Sequence, residues 1–285
     1  MMKKFIIFLL CSMSFSVIAE TLIVVPTTAG GVYDVFARQY VKYLQTKSGE
    51  NYVVENHPGA GQLIATKYFS KSPPNTLMIT SNSYYTFVAK DEIDAYGIIP
   101  VNLLASTPLV FIAKKELTCE NLKDTNKKYF VGTGGIGSAT SQALSLIMEK
   151  YPNITEVPYK SAGAASSDFM AGRLDGMIST GFSREKLIGF NVLTHSSPHS
   201  IHNVKPWKEC LGITKSLDAH FLLLASKGSS PEFVNKINKL SSNYVKDNDT
   251  KKYYSSNGMT AEIKSNSEIN DMILNSIASE RWILK

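Results

Sequence analysis

One event repeats along the sequence: a short run of β-type residues, a glycine-bearing turn, then a helix with apolar residues every three or four positions. Leu22-Ile23-Val24-Val25 reads as a buried strand and the turn at 26–31 contains Gly30-Gly31. Val32, Phe36, Tyr40 and Leu44 then recur on one helical face. This alternation is the signature of an α/β fold built on parallel strands. Tyr52-Val53-Val54-Glu55, the turn Pro58-Gly59-Ala60-Gly61, a helix through Phe69 and the strand Leu77-Met78-Ile79-Thr80 repeat it, and an apolar strand follows at 109–113. The pattern restarts at Tyr129-Phe130-Val131, with a glycine-rich turn and a helix over 138–151 that aligns Leu144, Ile147, Met148 and Tyr151. Strands at 154–157, 176–179 and 191–194 and a helix over 164–171 complete a second α/β unit. Phe221-Leu222-Leu223-Leu224-Ala225 is a further strand, Pro231 opens a helix as a first-turn proline, and Ile269, Ile273 and Ile277 mark a final helix. These last helices are expected to pack on the first unit.

Of the 285 residues, 44% are hydrophobic and the formal charge is +6, which excludes a disordered chain and a multispanning membrane protein. The positive charge is spread rather than blocked, so nucleic acid is not an expected partner. Lys3 and Lys4 precede an apolar run that ends in Val17-Ile18-Ala19, the pattern of an export leader, residues 1–19, cut after Ala19. The run falls short of the roughly 20 apolar residues that span a bilayer comfortably. A lipoprotein leader at Cys11 wants a small preceding residue, and Leu10 is large. Export removes the mature chain from the cytoplasmic supply of NAD and ATP.

Gly132-Thr133-Gly134-Gly135-Ile136-Gly137 satisfies G-x-G-x-x-G between a strand and a helix, and Glu156 stands where a ribose-binding acid would sit. Export argues against a dinucleotide. In any compartment the turn offers backbone N–H groups at a helix N-terminus beside the hydroxyls of Ser138 and Thr140, which suits a small anion. The plainer reading is a tight turn capped by Ser138. Thr27-Thr28-Ala29-Gly30-Gly31-Val32-Tyr33-Asp34 has the same physics, and Asp34 and Arg38 have the i,i+4 spacing of an ion pair.

Four stretches in register resemble a known family. They are Val24-Val25-Pro26 through Gly30-Gly31, Asp34 and Ala37-Arg38; Val54-Glu55-Asn56 with Pro58-Gly59-Ala60-Gly61; residues 132–138; and Val157-Pro158-Tyr159-Lys160 followed by Asp168 and Ala171-Gly172-Arg173-Leu174-Asp175. Together they are similar to the substrate-binding receptors of tripartite tricarboxylate transporters, the Bug proteins. The resemblance implies a two-lobed periplasmic binding protein (type II, Venus-flytrap), each lobe a mostly parallel sheet flanked by helices. Lobe 1 is expected at 20–111 plus 224–285 and lobe 2 at 112–223, with crossings near 109–113 and 221–225. It implies a small organic carboxylate, a di- or tricarboxylate or a related acid, held between the lobes. The ligand set so implied is Thr27, Thr28, Ala29, Gly30, Gly31, Tyr33 and Asp34 in the first turn, Ser81, Asn82 and Ser83 after the third strand, Gly135, Gly137, Ser138, Ala139 and Thr140 in the second-lobe turn, and Tyr159, Lys160 and Ser161. Without the resemblance, the Ser/Asn cluster reads equally as a capped loop.

The same resemblance implies a periplasmic monomer that is not an enzyme, uses no cofactor or metal, and delivers its ligand to two integral membrane transporter subunits. A sensor that signals through a membrane partner such as a kinase is the alternative. Tyr33 and Ser161 depart from the family pattern, and Tyr33 is expected to narrow the pocket mouth or stack on the ligand. His195, His199 and His202 with Cys210 have a spacing open to a transition metal or to an ordinary solvated loop. Cys119 and Cys210, the cysteines of the mature chain, are open to pairing in an oxidising compartment. No G-x-S-x-G nucleophile elbow exists.

Overall fold

A computed structural model describes residues 20–81, 98–180, 190–197, 204–215, 217–261 and 264–280. The first α/β unit runs β1 (Thr21–Val25), α1 (Val32–Ser48), β2 (Tyr52–Asn56), α2 (Leu63–Phe69) and β3 (Leu77–Thr80). Its strands are parallel, with β1 between β2 and β3. The second unit follows the long strand β4 (Ile99–Lys114). It runs β5 (Tyr129–Thr133), α3 (Ala139–Lys150), β6 (Ile154–Pro158), α4 (Ala162–Met170) and β7 (Gly176–Thr180). Here β5 lies between β6 and β7, again in parallel, so the two triplets share one winding order. The chain continues through β8 (Phe190–His195), the short helix α5 (Trp207–Cys210), β9 (Asp218–Ala225), α6 (Pro231–Tyr244), α7 (Asn248–Ser256) and α8 (Asn266–Glu280).

The triplets are joined through antiparallel strands. β9 pairs with β3 on one side and with residues 99–108 of β4 on the other, over its whole length. From Leu109 onward β4 instead pairs with β7 and β8. The sheet is therefore mixed, parallel within each triplet and antiparallel where the long strands connect them. Only residues 109–113 of β4 were legible as strand. Pro100 and Pro108 interrupt the earlier part, polar Asn102, Ser106 and Thr107 are buried in it, and its register against β9 shifts twice. A proline within a strand pattern normally argues against a strand.

Each triplet is covered on both faces. In the first lobe, Phe36, Tyr40 and Leu44 of α1 join Ile237 and Tyr244 of α6 on one face. Val24 and Met78 meet Phe69 of α2 and Ile269 and Ile273 of α8 on the other. Both closing helices thus pack on the first unit, as their apolar spacing predicts. In the second lobe, alternate residues of β4 serve opposite cores: Leu109, Phe111 and Ala113 face α3, and Val110 and Ile112 face Phe169 of α4. Cys119 and Cys210 are joined in a disulfide across this lobe, Cα atoms 5.4 Å apart and 91 positions apart in sequence. No described helix is long and apolar enough to cross a membrane.

Candidate functional site

The carboxyl ends of β1 and β5 lie where each triplet changes winding direction, the place where open α/β sheets bind ligands. A cavity of about 600 Å³ opens there between the two lobes. Its first wall is the turn after β1. Gly31 is the N-cap of α1 and offers no side-chain cap, so the N–H groups of Val32 and Tyr33 have no hydrogen-bond partner among the described residues. A Cβ on Gly31 would sit 3.0 Å from the Thr28 carbonyl oxygen and 3.2 Å from Thr27 Oγ1, a tight fit that would require these neighbours to shift slightly. Thr27 Oγ1 lies on this wall, buried and without a partner among the described residues.

Behind the wall, Asp34 holds the turn shut. Its carboxylate accepts from the Gly30 N–H at 2.8 Å, from Arg38 Nε at 3.0 Å and from Asn56 Nδ2 at 3.0 Å. Burial pushes its pKa up, but the hydrogen bonds from Arg38, Gly30 and Asn56 outweigh it and hold the group below the usual carboxylate range. Asp34 therefore acts as a brace.

The opposite wall is the turn after β5. Ser138 caps α3 by accepting from the Ser141 N–H at 3.2 Å, while the N–H groups of Ala139 and Thr140 have no partner among the described residues. Thr140 Oγ1 accepts from the Gly134 N–H at 2.9 Å and Thr133 Oγ1 from the Gly135 N–H at 3.4 Å, so two donors of the glycine run are spent within the turn. Gly135 has φ +105°, and a Cβ there would lie 2.5 Å from the Tyr159 carbonyl oxygen. This close approach clamps the β5 turn to the β6 turn. Tyr159 directs its hydroxyl to Asp168 at 2.8 Å, Arg173 meets the same carboxylate at 2.6 Å, and Ser161 caps α4. Lys160 is the one charged side chain lining the cavity among the described residues.

A family model described as the tripartite tricarboxylate transporter family receptor matches residues 36–285. The chain belongs to this receptor family. Among curated relatives, a protein from the TAR-I ttuE-ttuC' intergenic region of Agrobacterium vitis is 30% identical over 167 residues, covering 54% of this chain and 48% of the relative. BugT of Bordetella pertussis is 27% identical over 165 residues, 52% of this chain and 51% of BugT. The chain spans about half the length of the curated relatives it matches.

Three solved structures share the receptor's fold. Periplasmic binding protein BugD superposes with a TM-score of 0.81 at 19% identity, covering 93% of this chain and 96% of BugD. R. palustris Rpa4515 with adipate gives 0.84 at 20% identity over 93% and 95% of the two chains. MatC from Rhodopseudomonas palustris with bound malate gives 0.82 at 18% identity over 93% and 99%. The fold is that of the two-lobed periplasmic binding proteins.

Within this receptor, Thr27, Thr28, Gly31, Tyr33 and Ser81 line the cavity from the first lobe. Gly135, Ser138, Ala139, Thr140, Tyr159, Lys160 and Ser161 line it from the second. Ala29, Gly30, Asp34 and Gly137 fall outside the lining, and Asn82 and Ser83 lie outside the described residues. Tyr33 is 6% exposed: its ring packs on Phe221 at 4.5 Å and its hydroxyl donates to the His220 carbonyl at 3.2 Å, so it forms inner wall rather than mouth. Burial raises its phenol pKa strongly. His195 is buried with Nε2 on the Val204 carbonyl at 3.1 Å, Cys210 is committed to the disulfide, and His199 and His202 lie outside the described residues.

Sequence reasoning missed the turn from Pro58 to Gln62 as a wall of the cavity. Its backbone is left-handed at Ala60 (φ +45°) and Gln62 (φ +83°) as well as at Gly61 (φ +59°). The Gln62 amide fixes it by accepting from Thr80 Oγ1 and donating to Ser81 Oγ, both at 2.6 Å. The glycines announce a turn; no sequence signal announces two non-glycine residues in that conformation. Ile136, Pro158, Ala162 and Thr180 also join the lining.

Proposed function

We propose that this chain is an exported periplasmic receptor that captures a small carboxylate between its lobes, without chemical turnover, and delivers it to two membrane subunits of a tripartite transporter. One observation carries the reading: the N-termini of α1 and α3 converge on a single cavity with unpartnered N–H groups and the unpartnered hydroxyl of Thr27. Helix ends each favour an anion by about 0.3–1 kcal/mol, and each hydrogen bond to a carboxylate adds roughly 1.5–3 kcal/mol. Three or four such bonds reach the roughly 8 kcal/mol of micromolar binding without an arginine. Family membership supports the transporter role, and adipate and malate accompany two proteins of the same fold. Thr27, Thr28, Gly31 and Ser81 would contact the ligand from lobe 1, and Ser138, Ala139, Thr140, Lys160 and Ser161 from lobe 2. In this reading residues 1–19 are the leader, removed after Ala19.

Calorimetric titration of the purified mature chain with a panel of carboxylates tests the proposal. Saturable binding of at least one acid, abolished when Ala139 is replaced by proline to remove a helix-end donor, is expected. A silent panel, with no acid found by native mass spectrometry of the protein as purified, would overturn it.

A further inference from the structure

The cleft is amphipathic, and that division points to the kind of carboxylate it takes. Beside the helix-end donors and the polar groups of Gln62, Ser81, Tyr159, Lys160, Ser161 and Thr180, the lining includes hydrocarbon from Val32, Pro58 and Ala60 on the first lobe and from Ile136 and Pro158 on the second. Ile136 is 72% exposed, the most exposed of the large apolar residues among the described residues. It stands between Gly135 (φ +105°) and Gly137 (φ +84°), in a turn closed by the Ser138 N–H on the Gly135 carbonyl at 3.0 Å. An aliphatic side chain exposed at a cavity wall gains from contact with the hydrocarbon part of whatever occupies the cavity. Lys160 is the one cation lining the cavity among the described residues.

We infer that the cargo is a carboxylate with a hydrocarbon body, aliphatic or aromatic, and that Ile136 selects it over hydroxylated di- and tricarboxylates. The inference rests on the carboxylate-receptor reading above. The head group binds at Thr27 and the helix ends while the body lies between Ile136 and the Pro58–Ala60 wall.

Calorimetry with hexanoate, benzoate, citrate and tartrate provides the test. Hexanoate or benzoate is expected to bind at least about tenfold more tightly than citrate and tartrate. Ile136→Ser should reduce that preference about tenfold, the effect of removing one aliphatic contact, and Ile136→Leu should retain it. Melting curves of both variants confirm folding, which an exposed position should leave intact. Citrate or tartrate binding as tightly as the hydrocarbon acids would overturn the inference and leave the receptor reading standing. An unchanged preference in Ile136→Ser would overturn the role of Ile136. Failure of every acid to bind would overturn both readings.

Discussion

Replacing Gly135 with alanine places a methyl group 2.5 Å from the Tyr159 carbonyl oxygen, at a backbone φ of +105°. Two costs follow. A non-glycine residue in so sparsely populated a region costs about 1–3 kcal/mol, and overpacking a closed contact adds about 1–3 kcal/mol. The second cost cannot be relieved by a side-chain rotation, because both atoms are fixed to backbone. Gly172 is the control: its φ is +76° but a Cβ there meets nothing within 4 Å, so Gly172→Ala carries only the conformational cost of about 1 kcal/mol. At about 2–4 °C per kcal/mol for a chain of this size, a loss near 4 kcal/mol lowers Tm by about 8–16 °C for Gly135→Ala, against about 2–4 °C for Gly172→Ala. Calorimetric melting of both variants reads the difference. Equal falls in Tm would refute the claim that the β5 and β6 turns are clamped by backbone contact.

Thr27→Val removes a hydroxyl that has no partner among the described residues, so Tm should hold or rise slightly while carboxylate affinity falls about tenfold or more. A lowered Tm would reveal a structural role instead. Replacing Cys119 and Cys210 together by serine opens a link spanning 91 positions and should cost about 4–5 kcal/mol in the chain-entropy model, read as a fall in denaturation midpoint. An unchanged midpoint would count against the pairing. Asp34 has a folded pKa below its unfolded value of about 3.9, so its contribution is complete above that value and is lost as pH falls through the folded pKa. Asp34→Asn should therefore be less stable than the parent at neutral pH, with the gap closing below about pH 4. A gap constant down to about pH 2 would contradict the brace.

Local regularity was legible and tertiary commitment was not. The strands of both triplets could be read as short β-type runs bounded by turn residues, and the apolar faces of α1, α3 and α8 because burial on one side of a helix imposes a period that survives in the sequence. Ser138 and Pro231 stand where their capping chemistry predicts, at the N-cap of α3 and the first turn of α6. The first half of β4 was hidden because it is buried on both faces and its prolines mimic a boundary. At the cavity, Asp34 and Gly30 have the chemistry of ligand contacts, yet they satisfy each other, and only coordinates show which polar group is already engaged. Gln62 escaped for the opposite reason: its place on the wall depends on a left-handed backbone held by Thr80 and Ser81, residues 18 and 19 positions away.

The single strand β4 belongs to both lobes, and its ladder changes partners between Pro108 and Leu109 without a break in the chain. There the Ser196 N–H donates to the Leu109 carbonyl, and the Leu109 N–H donates to the Ser196 hydroxyl, which itself donates to Asp218 at the start of β9. Such a joint has no swivel. On the capture reading, drawing the lobes together would flex a two-stranded ribbon, which would answer with an elastic restoring force. No residue of β4 or β9 lines the cavity, so that force would oppose every cargo equally and divide all affinities by a common factor while the walls set their ratios. Selectivity and strength of capture are thus tuned at separate addresses, and a change at Pro108 should shift the whole panel of affinities together while leaving their order intact.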